Sequence, residues 1–144
     1  MNKPLTISGN PPNILIADDD VAIQICLKDI ADFEGWDAVF ARDGRECYEK
    51  FLKKRPDLMI IDHQMPYMTG LELLANLGDR ASQVPVIFMS AEVGLKPLHA
   101  SSQTFHFLKK PFELHELIDL VHSMLTKEVV RQPSTCADFS ICAG

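Results

Sequence analysis

The sequence predicts an α/β domain: a doubly wound sheet of five parallel strands, with five helices covering both faces in a three-layer sandwich. Three observations lead to this prediction. Short apolar runs recur along the chain, segments with helical periodicity separate them, and the length of 144 residues suits one domain. Strands that alternate with helices predict a parallel sheet whose strands are joined by right-handed crossovers.

The first strand is predicted at residues 13–17, a nearly continuous apolar run that is typical of strands buried on both faces. A helix over residues 21–33 follows, because its apolar side chains fall near the helical spacing. Gly35 stands where a left-handed C-cap would end this helix. Residues 37–41 form the second predicted strand.

The middle of the chain repeats this strand–helix alternation. A second helix over residues 45–54 has an apolar face and is stopped by Pro56. Residues 58–61 are continuously apolar and predict the third strand, and residues 71–77 predict a helix that Gly78 ends.

The last third of the chain contains one segment that is harder to interpret. Residues 84–89 and 104–108 predict the fourth and fifth strands, and residues 112–125 show clear helical periodicity. The segment 91–104 between these strands should contain a further helix. Pro97 weakens that helix because it removes a backbone donor.

Composition limits the classes of function. Fourteen basic and twenty acidic side chains give a formal charge of −6, which argues against direct binding of nucleic acid over a broad surface. No apolar run is long enough to span a membrane, and no secretory signal precedes the first strand. A cytoplasmic location is expected, and the four cysteines should then be reduced thiols.

The ends of the chain differ in composition from the predicted domain. Residues 1–12 are polar and predict a flexible arm, residues 13–126 form the folded domain, and residues 127–144 lack periodicity and predict a disordered tail. Eighteen residues cannot form a second core, so any output should require a partner protein or a longer natural chain.

Polar side chains mark the carboxyl ends of the predicted strands, where parallel α/β sheets bind ligands. They are Asp18, Asp19, Asp20, Asp62, Ser90 and Lys110. Clustered carboxylates repel one another unless one is protonated or a cation binds, and Mg²⁺ suits a site of carboxylates and waters. The acidic run could instead supply only a helix N-cap and first-turn acids, and both roles are compatible if Asp20 caps.

Asp62 directly follows a buried strand, so it is either a turn former or a nucleophile. Beside a metal site, a carboxylate can attack a phosphoryl group and form an aspartyl phosphate. The metal and Lys110 would neutralise charge on the phosphoryl oxygens, and the Ser90 hydroxyl would donate a hydrogen bond to another oxygen.

Four segments in the same order and spacing resemble the receiver domain of two-component response regulators, which has a flavodoxin-like fold. They are Ile14-Leu15-Ile16-Ala17-Asp18-Asp19-Asp20, residues 56–70 around Asp62, residues 84–91 ending in Ser90-Ala91, and Phe107-Leu108-Lys109-Lys110-Pro111-Phe112. The resemblance covers residues 12–126 and implies chemotaxis-regulator-like phosphorelay signalling.

The resemblance also implies roles for individual residues. Asp62 resembles the phosphoacceptor, Asp18 and Asp19 the acidic pair that holds Mg²⁺, and the backbone carbonyl of Gln64 a third protein ligand. Lys110 resembles the invariant lysine because it directly precedes proline, and its bond to Pro111 should be cis.

The same resemblance implies a switch pair. Ser90 would move toward the phosphoryl group, and Phe107 would turn inward into the space left. Lys109 should face away from the site, because one step along a strand turns a side chain to the other face.

The implied partners are a sensor histidine kinase or a phosphotransfer protein as phosphodonor, and an output protein or fused output domain downstream. Dimerisation that depends on phosphorylation is also compatible with the resemblance. Such a domain catalyses only its own phosphorylation and slow dephosphorylation. Two alternatives are a small phosphate hydrolase with an aspartyl intermediate and a scaffold receiver that is never phosphorylated.

Overall fold

The computed structural model describes residues 9–91 and 105–130, which form one five-stranded parallel sheet with helices on both faces. The strands are β1 (Asn13–Ala17), β2 (Asp37–Ala41), β3 (Leu58–Asp62), β4 (Val86–Ser90) and β5 (Phe105–Lys109). The α-helices of this part of the chain are α1 (Val21–Glu34), α2 (Gly44–Lys53), α3 (Gly70–Leu77) and α4 (Leu114–Val130), and a short 3-10 helix covers Gly78–Ala81. The predicted doubly wound α/β fold is confirmed.

The strands lie in the order β2-β1-β3-β4-β5, and every pair is parallel. All residues of β1, β3 and β4 are buried, which explains why these strands, apart from a polar residue at one end of each, are apolar without alternation. The edge strands β2 and β5 are partly exposed.

The core has two layers because successive side chains of a strand point to opposite faces of the sheet. Ile61 and Phe88 belong to the layer that includes residues of α2 and α3. Ile60 and Ile87 belong to the layer that includes residues of α1 and α4. The two layers place the helices on both faces, as the sequence predicted.

Local signals in the sequence set several helix ends. Asp20 caps α1 by accepting hydrogen bonds from the N–H groups of Ala22 and Ile23. Gly35 ends α1 with φ of 80°, the left-handed conformation that glycine adopts readily.

The boundaries at the ends of the domain differ from the sequence prediction. Helix α4 ends at Val130, beyond the predicted end at residue 125, because no glycine or proline interrupts residues 126–130. At the other end, Pro12 is buried and its carbonyl accepts a hydrogen bond of 2.8 Å from the N–H of Asp37. The last residue of the predicted arm is therefore fixed to the fold.

The helix predicted within residues 91–104 falls almost entirely outside the described residues, as do residues 1–8 of the predicted arm and 131–144 of the predicted tail. Among the described helices, none has both the length and the apolar character that crossing a membrane requires.

Candidate functional site

Four strands deliver polar side chains to one edge of the sheet, as the sequence predicted. Asp18 follows β1, Asp62 is the last residue of β3, Ser90 is the last residue of β4, and Lys110 follows β5. The predicted strands had ended one residue before Asp62 and Ser90. Both residues pair within the sheet, so their backbones are held by its hydrogen bonds.

The three consecutive acids after β1 have three different environments. Asp18 is completely buried, Asp19 is exposed, and Asp20 accepts a hydrogen bond of 2.9 Å from the N–H of Ala22 as the cap of α1. Asp20 thus has the capping role that the sequence allowed for one member of this acidic run.

Three carboxylates meet at this edge with one ammonium group. One oxygen each from Asp18, Asp19 and Asp62 lie within 4.8 Å of one another. The Nζ atom of Lys110 lies 3.3 Å from Oδ1 of Asp62 and 3.6 Å from Oδ2 of Asp18. One ammonium group does not balance three carboxylates, so the site retains net negative charge that favours a bound cation.

Asp18 shows this imbalance most clearly. Its Oδ1 accepts a hydrogen bond of 2.8 Å from the N–H of Asp20, but its buried Oδ2 accepts none. Burial and the neighbouring charge of Asp62 raise the pKa of Asp18 to about 6, although the hydrogen bond from Asp20 and the charge of Lys110 oppose this.

This donor set fits Mg²⁺, which prefers carboxylate oxygens and keeps part of its water shell. A buried carboxylate oxygen without a hydrogen-bond donor, beside two further carboxylates, is the kind of ligand that such an ion would satisfy.

An open cleft of about 610 Å³ lies beside these carboxylates. It is lined by Asp19, Asp20, Asp62, Gln64, Met65, Pro66, Thr69, Ala91 and Lys110. No individual role was predicted for Met65, Pro66, Thr69 or Ala91, although all four fall in segments that carry the resemblance. Thr69 had a readable signal, because Thr69 and Glu72 form a capping box at the start of α3.

The loop between β3 and α3 makes a tight turn at the rim of this cleft. The N–H of Met68 donates to the carbonyl of Pro66 at 2.7 Å, and Tyr67 between them has φ of 70°. Tyr67 is 85% exposed. A non-glycine residue in this conformation is strained, and nothing in the sequence pattern indicated it.

Lys109, the last residue of β5, and Lys110, which follows it, lie in different environments, as predicted. Lys109 is exposed, whereas Lys110 reaches the carboxylates of Asp18 and Asp62. The peptide bond between Lys110 and Pro111 is cis, as the resemblance implied.

Ser90 and Phe107 lie on neighbouring strands, but neither lines the cleft. Ser90 is buried. Phe107 is 45% exposed and stacks on Phe88, its register partner on β4, with ring centroids 5.7 Å apart.

The model of the response regulator receiver domain family matches residues 14–122 of the chain. The chain belongs to this family. It is therefore a receiver domain of two-component signalling systems, and the resemblance noted in the sequence is confirmed.

Curated relatives include longer proteins. The chain is 31% identical over 121 residues to the transcriptional regulatory protein TrcR of Mycobacterium tuberculosis, a match that covers 83% of this chain and 47% of TrcR. It is 30% identical over 119 residues to the response regulator MprA of Mycolicibacterium vanbaalenii, covering 81% of this chain and 52% of MprA. The chain thus spans about half the length of these relatives.

Solved receiver domains have the same fold. The receiver domain of the Francisella response regulator 1452 is 33% identical with a TM-score of 0.72, covering 81% of this chain and 98% of that domain. TrrA of Thermotoga maritima, solved in complex with Mg(2+)-BeF, is 28% identical with a TM-score of 0.68, covering 78% of this chain and 97% of TrrA.

Proposed function

We propose that this receiver domain accepts a phosphoryl group on Asp62 and signals by changing its contacts with other proteins. The observation that carries the proposal is the grouping of Asp62 with two further carboxylates and with Lys110 beside one open cleft. A single buried aspartate at a strand end would need none of these neighbours.

The proposed reaction is transfer from a phosphohistidine. A carboxylate oxygen of Asp62 attacks the phosphorus atom, a P–O bond forms, and the P–N bond to the donor imidazole breaks with its electron pair staying on nitrogen. The product is an acyl phosphate on Asp62 and a neutral imidazole on the donor after proton uptake from water.

Lys110 would stabilise the transferred group. Its ammonium lies 3.3 Å from the Asp62 carboxylate. From there it can contact a phosphoryl oxygen and stabilise the negative charge that develops on it. The Ser90 hydroxyl would donate to another phosphoryl oxygen, and Ser90 and Phe107 would act as the switch pair.

Asp18, Asp19, Asp62 and the backbone carbonyl of Gln64 would hold Mg²⁺. The ion would neutralise charge on the phosphoryl oxygens. Asp18 and Asp62 are rigid ligands because both are buried, whereas Asp19 and Gln64 are exposed at the cleft.

The proposed partners follow from this chemistry. The phosphodonor is a sensor histidine kinase or a phosphotransfer protein, and the output is a separate protein or a domain fused to this one, without direct contact between this acidic domain and nucleic acid. We place the reaction in the cytoplasm, and its chemistry is confined to the domain's own phosphorylation and slow dephosphorylation.

Intact-mass spectrometry tests the proposal. Incubation with acetyl phosphate and Mg²⁺ should add one phosphoryl group to the wild type and none to Asp62→Asn. Asp32→Asn, which changes an exposed acid on α1, is the matched control and should be modified like the wild type. Absence of the adduct from the wild type would favour the scaffold alternative, and sustained hydrolysis of added phosphate esters would favour the hydrolase.

A further inference from the structure

One aromatic ring joins the phosphoacceptor strand to the partly exposed edge of the sheet. Phe88 of β4 pairs in register with Ile61 of β3 on one side and with Phe107 of β5 on the other. Its ring is completely buried. It therefore lies directly between the strand that ends in Asp62 and the strand that carries Phe107.

On the outer side, Phe88 is stacked on two rings of β5. Its ring is inclined by 14° to that of Phe107 and by 24° to that of Phe105, at centroid distances of 5.7 and 6.2 Å. Phe107 is about half exposed, and its stack on the buried ring of Phe88 is a contact with the interior of the domain.

On the inner side, Phe88 contacts the segment that follows Asp62. The ring of His63 is packed edge to face against the ring of Phe88, with their centroids 6.5 Å apart. Gly70 is packed so closely that a Cβ atom there would lie only 2.6 Å from Cε1 of Phe88. The backbone couples these two neighbours, because the N–H of Gly70 donates to the carbonyl of His63 at 2.8 Å.

A displacement of this segment cannot be absorbed locally. Close-packed interiors transmit small shifts, since the alternative is overlap of atoms or an empty cavity. A movement of His63 or Gly70 would displace the ring of Phe88, which has no solvent-exposed surface. The ring of Phe88 is in turn stacked on that of Phe107.

We propose that Phe88 is a positioning residue that transmits the state of Asp62 to Phe107 through the ring stack. The proposal rests on the proposed function of Asp62 as phosphoacceptor. It adds a route through His63, Gly70 and Phe88 to any coupling through Ser90. The position of Phe107, and so the surface at β5, depends on this contact.

The experiment measures the Phe107 ring directly. With 4-fluorophenylalanine introduced at position 107, ¹⁹F NMR of the wild type should show a new resonance position when Mg²⁺ and beryllium fluoride are added. In Phe88→Leu and in Phe88→Met, which keep an apolar side chain without a flat ring, the shift change should fall at least threefold. Phe105→Leu is the matched control, because it removes a ring from the same stack but keeps Phe88 against Phe107, and it should respond like the wild type.

Intact-mass measurement with acetyl phosphate runs in parallel on every variant. If both Phe88 variants take up the phosphoryl group and still shift the Phe107 resonance fully, Phe88 does not transmit the signal. An adduct on the wild type without any change at Phe107 would also overturn the inference. Failure of the wild type to form an adduct would instead refute the proposed function, so the two failures are distinguishable.

Discussion

Asp18 and Asp19 are neighbours of the same type, yet the fold gives them opposite environments. Asp18 is fully buried with one oxygen that accepts no hydrogen bond, and Asp19 is exposed. A buried carboxylate in this position opposes folding when it is charged, since desolvation is not fully compensated. Without a bound cation, the charged carboxylate of Asp18 therefore lowers the stability of the folded domain.

Substituting Asp18→Asn should stabilise the metal-free protein at pH 7. The pKa of Asp18 is raised to about 6 in the folded state, so the unfavourable contribution is present above that pH and disappears as pH falls through 6 toward 4. Asn keeps the acceptor for the N–H of Asp20, and the expected gain is about 1–3 kcal/mol at neutral pH.

Urea unfolding with EDTA at pH 7 and pH 4 measures this gain. The stability difference between Asp18→Asn and the wild type should be large at pH 7 and small at pH 4. A variant that is less stable than the wild type at pH 7 would contradict the prediction.

Lys110 and Lys109 offer a matched pair of substitutions. Lys110→Ala removes the ammonium beside Asp62 and Asp18 and should abolish the conformational response to Mg²⁺ and beryllium fluoride. Lys109→Ala removes the same charge from an exposed position and should leave the response intact. Backbone amide chemical-shift changes measure the response, and equal loss in both variants would refute the assignment of Lys110.

At the scale of elements, the connection from β3 to α3 holds β3 against the rest of the domain. Thr69 and Glu72 fix the start of α3 through a capping box. Gly70, which follows Thr69, packs against Phe88 and Ile61 with no room for a side chain. The helix start is thereby held directly on the sheet, close to Asp62.

Gly70→Ala should destabilise the domain by about 1–3 kcal/mol, because its Cβ would lie 2.6 Å from Phe88 and 2.9 Å from Ile61. Gly78→Ala is the control: its Cβ has nothing within 4 Å, and its φ of 54° carries only a backbone cost. In a Phe88→Leu background the cost of Gly70→Ala should shrink, whereas that of Gly78→Ala should not. Urea unfolding of these variants as a double-mutant cycle checks the contact, and an unchanged cost for Gly70→Ala would exclude it.

At the scale of the whole molecule, the strand order explains where the site forms. The chain passes from β1 to the edge strand β2 and then crosses to β3 on the other side of β1. This reversal opens a crevice at the carboxyl ends of β1 and β3. Asp18 directly follows β1, and Asp62 is the last residue of β3. A ligand there contacts separate parts of the chain and so stabilises the entire fold.

Mg²⁺ should accordingly raise the global stability of the domain. At a free concentration one hundred times its dissociation constant, the expected increase is about 2.7 kcal/mol. Thermal unfolding with and without Mg²⁺ at constant ionic strength measures it. Asp19→Asn should lose most of the increase and Asp32→Asn none, and an equal increase in both variants would point to unspecific ion binding.

Much of this arrangement was predictable because it is encoded locally. The buried strands are apolar without alternation, and Asp20 and Gly35 mark the ends of α1. The resemblance to receiver domains, whose invariant lysine directly precedes proline, distinguished Lys110 from Lys109. The end of α4 was missed because residues 127–130 were assigned to the tail, although neither glycine nor proline interrupts the helix there.

The amino-acid sequence alone determined the α/β class and the set of polar residues at the strand ends, because short-range patterns fix secondary structure and parallel strands share one carboxyl edge. Only the tertiary structure decided that Asp18 is buried while Asp19 is exposed, that Tyr67 is strained, and that Phe88 stacks between His63 and Phe107. These properties depend on register and on contacts between residues distant in sequence. Local patterns carry no information about which side chain a distant strand will place alongside.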